Sequence, residues 1–469
     1  MPDRMLRRDS TFMRCDEAQV VLRYLNALES CSVVGISNIG KSAFLRMLCL
    51  PQFQAQMSGP SREAIFVYVD CNRMLGLNDQ GFYELVLRCL QDTLHQQTVP
   101  DTLSEKALSD ILLRTLRSAY EELINPHSPF HIPLSFNQGL TAALDSLGRT
   151  VVMVFDEFDD ALARVESRVF LNLRALKDQF RRTLVFVTAT NESLALLRRD
   201  EAIDEFIELF THHTYYLPPL KPEEAADLIR QLANELNVTF SERDIEFVLD
   251  WAGGHIGLLE AACGVLGSLT GAPVRDATQD WIIHREAAQR LPRNLAVQTE
   301  CIKIWTGLNE AERTALMDLV MPGGEAPLTL INTLRNKHLL LGGEDEAPRI
   351  FSRLFGQFLA QQSALVRPGV QGVRVDVETG MVTVDGRPTE ALTNLEFRLL
   401  LLLYGQLGKI CDKYQVVEAV WGQDYMDTVD DARIEKLVSR LRAKIEPDPT
   451  NPRYLTTLRG RGYKLVGAA

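Results

Sequence analysis

Gly35-Ile36-Ser37-Asn38-Ile39-Gly40-Lys41-Ser42 fits the pattern GxxxxGK[ST] at every fixed position. Residues of these types at this spacing cradle phosphates. The glycines let the backbone wrap closely around the oxygens. The amides from Asn38 and Ile39 through Gly40 to Ser42 and Ala43 then point inward as an anion nest. A helix opening after Lys41 adds the positive end of its dipole. Lys41 is placed to reach β- and γ-phosphates, and the Ser42 hydroxyl to ligate Mg2+. ATP or ADP with Mg2+ is therefore the expected cofactor.

Two further strand ends supply what such a loop needs. Val151-Val152-Met153-Val154-Phe155 runs into Asp156 and Glu157. Asp156 suits a Mg2+ partner, acting directly or through water, and Glu157 suits a general base for an attacking water. FDEFDD holds four carboxylates, which a solvated acidic loop would also explain. LVFVTAT (184–190) ends in Thr188 and Thr190, followed by Asn191. A polar group there touches a γ-phosphate or positions water, and it is also ordinary turn chemistry.

A second chemistry sits near the C-terminus. On a helix over about 431–446, Ile434, Val438, Leu441 and Ile445 form one apolar stripe, with Leu437 on its edge. Arg433, Lys436, Arg440 and Lys444 form a basic stripe beside it. Basic side chains aligned in this way suit phosphates and guanine edges of double-stranded DNA, and a solvated face is the plainer alternative. Arg459-Gly460-Arg461-Gly462-Tyr463 reads as a tight basic hairpin, with Tyr463 packing it down.

The elements that must hold these groups follow from length and pattern. A chain of 469 residues, 46% apolar and 24% charged, suggests three or four globular domains and excludes a disordered or collagen-like chain. Its eight cysteines form no CxxC pair, which argues for reduced thiols and against zinc. No run is long enough to span a bilayer, and the N-terminus lacks the apolar stretch of a secretory signal. The expected location is cytoplasmic, with no membrane partner.

The net charge of −12 argues at first against nucleic acid. Its distribution reverses that. Residues 370–469 hold 14 Lys+Arg and 14 Asp+Glu, and within 433–464 there are nine basic residues against three acidic ones. The acidic balance belongs to the first 369 residues.

Short, nearly all-apolar runs at Ser32–Val34, Ile65–Asp70, Val151–Phe155 and Leu184–Thr188 read as strands of a parallel sheet covered by helices on both faces. Residues 221–290 read as helices only. SALVRPGVQG (363–372) reads as a linker. VRVDVETGMVTVDGRP (373–388) reads as a β-meander with turns at Thr379-Gly380 and Asp385-Gly386.

The order strand–GxxxxGKS, strand–DE, strand–polar end, then helices, resembles AAA+ and STAND-type P-loop ATPases. VYVDCN (67–72), FLNLRALKD (170–178), LPPLKPEEA (217–225) and Gly253-Gly254-His255-Ile256 resemble their second strand, the helix after the DE strand, the approach to the helical lid and the GGxP stretch. Ile256 stands where a proline contacting the base is usual. Residues 300–361 resemble the winged helix that follows the lid. Arg174, Arg181, Arg182, Arg198 and Arg199 are candidate arginine fingers.

ALTNLEFRLLLLLYGQLGKICDKYQVVEAVWG, RIEKLVSRLRAKIEPDP and YLTTLRGRGYKLV resemble the OmpR/PhoB-type winged helix-turn-helix. That resemblance implies an N-terminal four-stranded sheet, a third helix in the major groove, and Arg459 on a wing at the minor groove. Ala432 stands where that family often has arginine. Asp424, Asp427, Asp430 and Asp431 lie in the loop that meets RNA polymerase in the family, and helix-start charge explains them equally.

Together the resemblances imply a multidomain α/β plus α+β chain. Its parts are a P-loop NTPase core (1–215), a helical lid (216–295), a middle winged helix (296–362), a linker (363–372) and an OmpR/PhoB-type domain (373–469). The expected function is a nucleotide-switched, DNA-binding transcription regulator with slow ATP hydrolysis. It would form homo-oligomers according to nucleotide state. The alternative is a STAND-like sensor or DNA-dependent ATPase in defence or DNA maintenance, with no promoter role.

Overall fold

Four runs of β-branched and aromatic residues carry the sheet, because strands covered on both faces tolerate few polar side chains. The computed structural model describes residues 12–97, 103–270, 276–321, 324–343, 346–365, 372–375, 382–390, 392–421, 431–449, 451–458 and 460–466. β1 (Cys31–Val34), β2 (Ile65–Asp70), β3 (Val151–Asp156) and β4 (Leu184–Thr190) are joined by β5 (Thr214–Tyr216). All pairings are parallel, in the order β2-β3-β4-β1-β5. Every residue of β1, β3 and β4 is buried.

This order positions the chemistry. β4 lies between β1, which feeds the glycine loop, and β3, which ends in the carboxylates. The end of β4 therefore falls between the loop and the acidic pair. Ligand sites form where strand order reverses at the carboxyl ends of such sheets. Beneath the β3 end lies an aromatic core. Phe155 and Phe158 stack at 5.3 Å, and Phe158 meets Phe170 edge-on at 5.9 Å. These rings clamp both sides of the Asp156-Glu157 turn.

The fifth strand, TYY, has no signal in the sequence pattern. It is three residues long and half-buried, and it gains its place by pairing with β1.

Helices Pro222–Glu235, Glu242–Ala252, Ile256–Gly267 and Ala277–Arg290 follow. Ser241 and Asp244 form a capping box that starts the second of them. Gly253 ends it with φ +66°, and a Cβ there would come within 2.1 Å of the Phe351 carbonyl, so only glycine fits. Further helices at Leu295–Thr306 and Leu328–Asn336 lead into a small antiparallel hairpin, β6 (Leu340–Leu341) with β7 (Arg349–Ile350).

The chain divides into two compact units, Met1–Ala315 with Glu325–Gly356, and Leu316–Gly324 with Gln357–Ala469. In the second unit, β8 (Val373–Val375), β9 (Val382–Val384) and β10 (Arg387–Pro388) form a three-stranded sheet among the described residues. Helices Asn394–Gly405, Lys413–Trp421 and Asp431–Ile445 follow, then the hairpin β11 (Leu455–Leu458) and β12 (Gly462–Leu465). Val373, Leu399, Val416, Leu437 and Leu455 share its core. This is a winged helix. The expected turn at Thr379-Gly380, much of the 363–372 linker, Asp424, Asp427, Asp430 and Arg459 lie outside the described residues.

No helix among the described residues is long and apolar enough to cross a membrane.

Candidate nucleotide pocket and DNA-reading helix

The glycine loop leaves β1 and turns into the helix Lys41–Leu48. Asn38 and Gly40 take positive φ, +56° and +103°. The Gly40 conformation favours glycine, and a Cβ there would also approach Ile256 Cδ1 to 2.5 Å. Lys41 is buried. Its ammonium donates to Gly35 O at 2.8 Å, Ile36 O at 3.3 Å and Asn191 Oδ1 at 2.8 Å. All three acceptors are neutral. Burial pulls the lysine pKa down, with Glu157, Asp159 and Asp156 acting against it. A buried cation held by neutral oxygens fits an anion such as a phosphate.

Strand order brings Asn191 to Lys41, as the sheet topology requires. The Asn191 amide donates to Asp159 Oδ1 at 2.9 Å. Asp159 was not singled out from the sequence, although FDEFDD contains it. Its other oxygen is buried without a hydrogen-bond partner. Glu157 takes φ +52° and lies part-buried at the loop. Burial raises the pKa of both Glu157 and Asp159, and Lys41 opposes the rise. A carboxylate made more basic in this way suits proton abstraction from water.

Asp156 is 1% exposed. Its Oδ1 accepts the Glu157 amide at 3.0 Å, and its Oδ2 accepts the Tyr68 hydroxyl. Burial first, and then the Asp156 charge, push the Tyr68 pKa up.

Of these groups, Lys41 and Glu157 open on a cavity of about 300 Å³, and Asp156, buried behind Glu157, does not line it. Asn38, Gly40, Lys41, Ser42, Ala43 and Glu157 line its polar end. Met13, Leu220, Leu228 and Ile256 line its apolar side. Ser42 and Asp156 can supply oxygen ligands to Mg2+, and the apolar wall can take a base.

Two contacts from distant sequence hold the loop. His255 is fully buried and caps the helix Ile256–Gly267. Its Nδ1 accepts the Leu258 amide at 3.2 Å, so Nε2 carries the proton and donates to Ser37 O at 2.8 Å. Arg14, 0% exposed, donates from Nη2 to Ile39 O at 2.7 Å and from Nη1 to Pro218 O at 2.8 Å. Its backbone amide donates to Glu224 Oε1 at 2.6 Å. Burial pulls the Arg14 pKa down to about 10. One guanidinium thus ties the loop to the segment entering the helices. In the sequence, Arg14 looks like any basic residue of the N-terminus.

Among the finger candidates, Arg198 donates to Leu162 O, Val165 O and Ser167 Oγ, and Arg174 pairs with Asp178 at 3.0 Å. Both are built into the fold. Arg181 and Arg182 are exposed.

In the second unit, Ile434, Leu437, Val438, Leu441 and Ile445 are all buried. Arg433, Lys436 and Arg440 lie exposed on the same helix. Lys444 differs from them. It pairs at 2.8 Å with Glu396, which also closes the capping box of the helix Asn394–Gly405. Arg442 donates to Leu455 O at 2.9 and 2.7 Å and to Thr457 Oγ1 at 2.8 Å, fixing the helix to the terminal hairpin. Arg461 is exposed at the hairpin turn. Tyr463 packs against the core.

The sequence profile of the family described as "Transcriptional regulatory protein, C terminal" matches residues 386–465. The sensory transduction protein RegX3 of Mycolicibacterium smegmatis is 32% identical over 199 residues, covering 34% of this chain and 85% of that protein. RegX3 of Mycobacterium bovis is 45% identical over 95 residues, covering 20% of this chain and 40% of that protein. The chain therefore spans less than half of the latter relative's length. Among solved structures, a Walker-type ATPase of Pyrococcus abyssi aligns over 76% of this chain and 97% of its own, at 13% identity and TM-score 0.46.

Proposed function

Because the chain belongs to the family of transcriptional regulators with an OmpR/PhoB-type C-terminal domain, we propose that it is a member whose DNA binding is set by the nucleotide in its glycine loop. The observation that carries the nucleotide reading is Lys41, a buried ammonium bonded to three neutral oxygens at the mouth of a cavity.

In this reading residues 1–215 bind ATP or ADP with Mg2+, 216–295 form a lid and 296–362 a middle winged helix. Residues 363–372 link these to the DNA-binding domain at 373–469. Gly35, Asn38, Ile39, Gly40, Ser42 and Ala43 wrap the phosphates with Lys41. Ser42 and Asp156 hold the metal ion. Glu157 takes the proton of an attacking water, and Asn191 orients that water or the terminal phosphate. Slow hydrolysis then serves as a timer. His255 and Arg14 join the loop to flanking segments, so a phosphate entering the loop changes what those bonds hold.

On DNA, Arg433, Lys436 and Arg440 face the major groove and Arg459 and Arg461 the wing contact, while Lys444, expected beside them, stays paired with Glu396. Paired half-sites would then hold two chains, and the acidic loop ending at Asp431 would face RNA polymerase. Genome-wide mapping of bound DNA tests the regulator reading. Discrete promoter-proximal sites support it. Scattered occupancy with fast DNA-stimulated hydrolysis would make the chain a general DNA-dependent ATPase instead.

A further inference from the structure

Tyr68 and Asp156 lie two residues out of register on neighbouring strands, since Tyr68 pairs with Val154 and Asp70 with Asp156. That diagonal is within reach of a long aromatic side chain on the same face. The Tyr68 hydroxyl donates to Asp156 Oδ2, and the Glu157 amide takes Oδ1 at 3.0 Å. Both oxygens of the carboxylate are thus engaged by donors. Arg46, one turn into the helix after the glycine loop, places its guanidinium 5.2 Å above the Tyr68 ring centre. Arg46 also lines the cavity. The tyrosine is therefore held between the loop helix and the acidic strand end.

We infer that Tyr68 is a positioning residue that caps Asp156 until a divalent cation arrives, and so sets how strongly nucleotide binding depends on that cation. This rests on the nucleotide reading above. A carboxylate engages Mg2+, or a water on Mg2+, through a lone pair. With Tyr68 donating, Oδ2 has that direction filled and its charge partly satisfied. Metal-free nucleotide then meets less repulsion from Asp156. A cation that takes the same lone pair of Oδ2 displaces the Tyr68 hydroxyl and costs a hydrogen bond to a charged acceptor, and one that takes the other lone pair shares an oxygen whose charge is partly satisfied.

The test is Tyr68→Phe, with dissociation constants for a fluorescent ATP analogue measured in excess EDTA and in saturating Mg2+. Removing the hydroxyl leaves Asp156 bare. Metal-free binding weakens and Mg2+ no longer competes with a donor. The ratio of the two constants is expected to rise roughly tenfold to a hundredfold over wild type, the size of one charge-assisted hydrogen bond. In an Asp156→Asn background, adding Tyr68→Phe should leave the ratio unchanged. A general packing defect would weaken both constants alike. An unchanged or smaller ratio in Tyr68→Phe, or an equal rise in the Asp156→Asn background, overturns the inference alone. Wild-type protein that binds the analogue in neither condition overturns it together with the nucleotide reading.

Discussion

His255 Nε2 and the Ser37 carbonyl, 218 positions apart in sequence, meet at 2.8 Å. A buried imidazole at the start of one helix thus holds the middle of the glycine loop. The cap on the Leu258 amide requires a neutral ring, because Nδ1 accepts there, whereas the Ser37 bond is open to either form of the ring.

That requirement, with the burial of the ring, makes the capping contact to Leu258 pH-dependent. Burial pulls the His255 pKa from 6.5 down to about 4. Below pH 6.5 the unfolded chain binds a proton that the folded ring refuses. Stability from this group is therefore complete above pH 6.5 and falls as pH drops toward 4. The loss is about 3 kcal/mol over that window. Urea unfolding at pH 7.5 and pH 5 checks it against His255→Gln, whose amide does not titrate there. The wild type should lose more stability than the variant across this interval. Equal losses would remove His255 as the cause.

Lys41→Ala removes the cation from a cavity whose other polar groups include a carboxylate. Nucleotide affinity should fall by roughly a hundredfold or more, since a charge-assisted contact to phosphate has no replacement. Isothermal titration with Mg–ATP reads this directly. Affinity equal to wild type would refute the phosphate site.

The two kinds of arginine in the second unit should separate. Arg440→Ala with Arg461→Ala removes exposed cations and should weaken DNA binding. It should also flatten the slope of log affinity against log salt by roughly one to two, at about 0.9 for each phosphate contact. Arg442→Ala instead frees Leu455 O and Thr457 Oγ1, and should cost about 2 kcal/mol of stability in the second unit. Anisotropy titrations at several salt concentrations, together with thermal unfolding, distinguish them. A salt slope unchanged in the Arg440, Arg461 double variant would count against groove contacts.

Lys337 is 4% exposed and bonds both Glu312, which is 0% exposed, and Glu192, the residue after Asn191. Lys337→Met leaves two carboxylates facing each other without their cation. The expected cost is about 3–5 kcal/mol in chemical unfolding, as for breaking a buried ion pair. Wild-type stability in that variant would show the triad to be solvated.

The two candidate centres are legible in the sequence because each is written locally. GxxxxGKS and the DE strand end carry their own spacing, and the buried face Ile434–Ile445 follows from helical periodicity. The features that tie them down are not. Arg14, Tyr68 and Asp159 act on residues brought near by the sheet, and nothing adjacent to them in the chain marks that role. Lys444 shows the reverse limit. It falls on the basic stripe by periodicity, yet its ammonium pairs with a capping carboxylate 48 residues away. Charge type and spacing cannot distinguish a cation reaching solvent from one already engaged.

The central claim is that nucleotide state sets DNA affinity. The direct measurement is anisotropy of the full chain on a DNA fragment recovered by genome-wide mapping, with Mg–ADP and with a non-hydrolysable Mg–ATP analogue. The account predicts dissociation constants that differ by roughly tenfold, within the usual range of allosteric coupling, and a difference that vanishes in Lys41→Ala. Equal affinity in both nucleotide states, with each nucleotide shown to be bound, would contradict it.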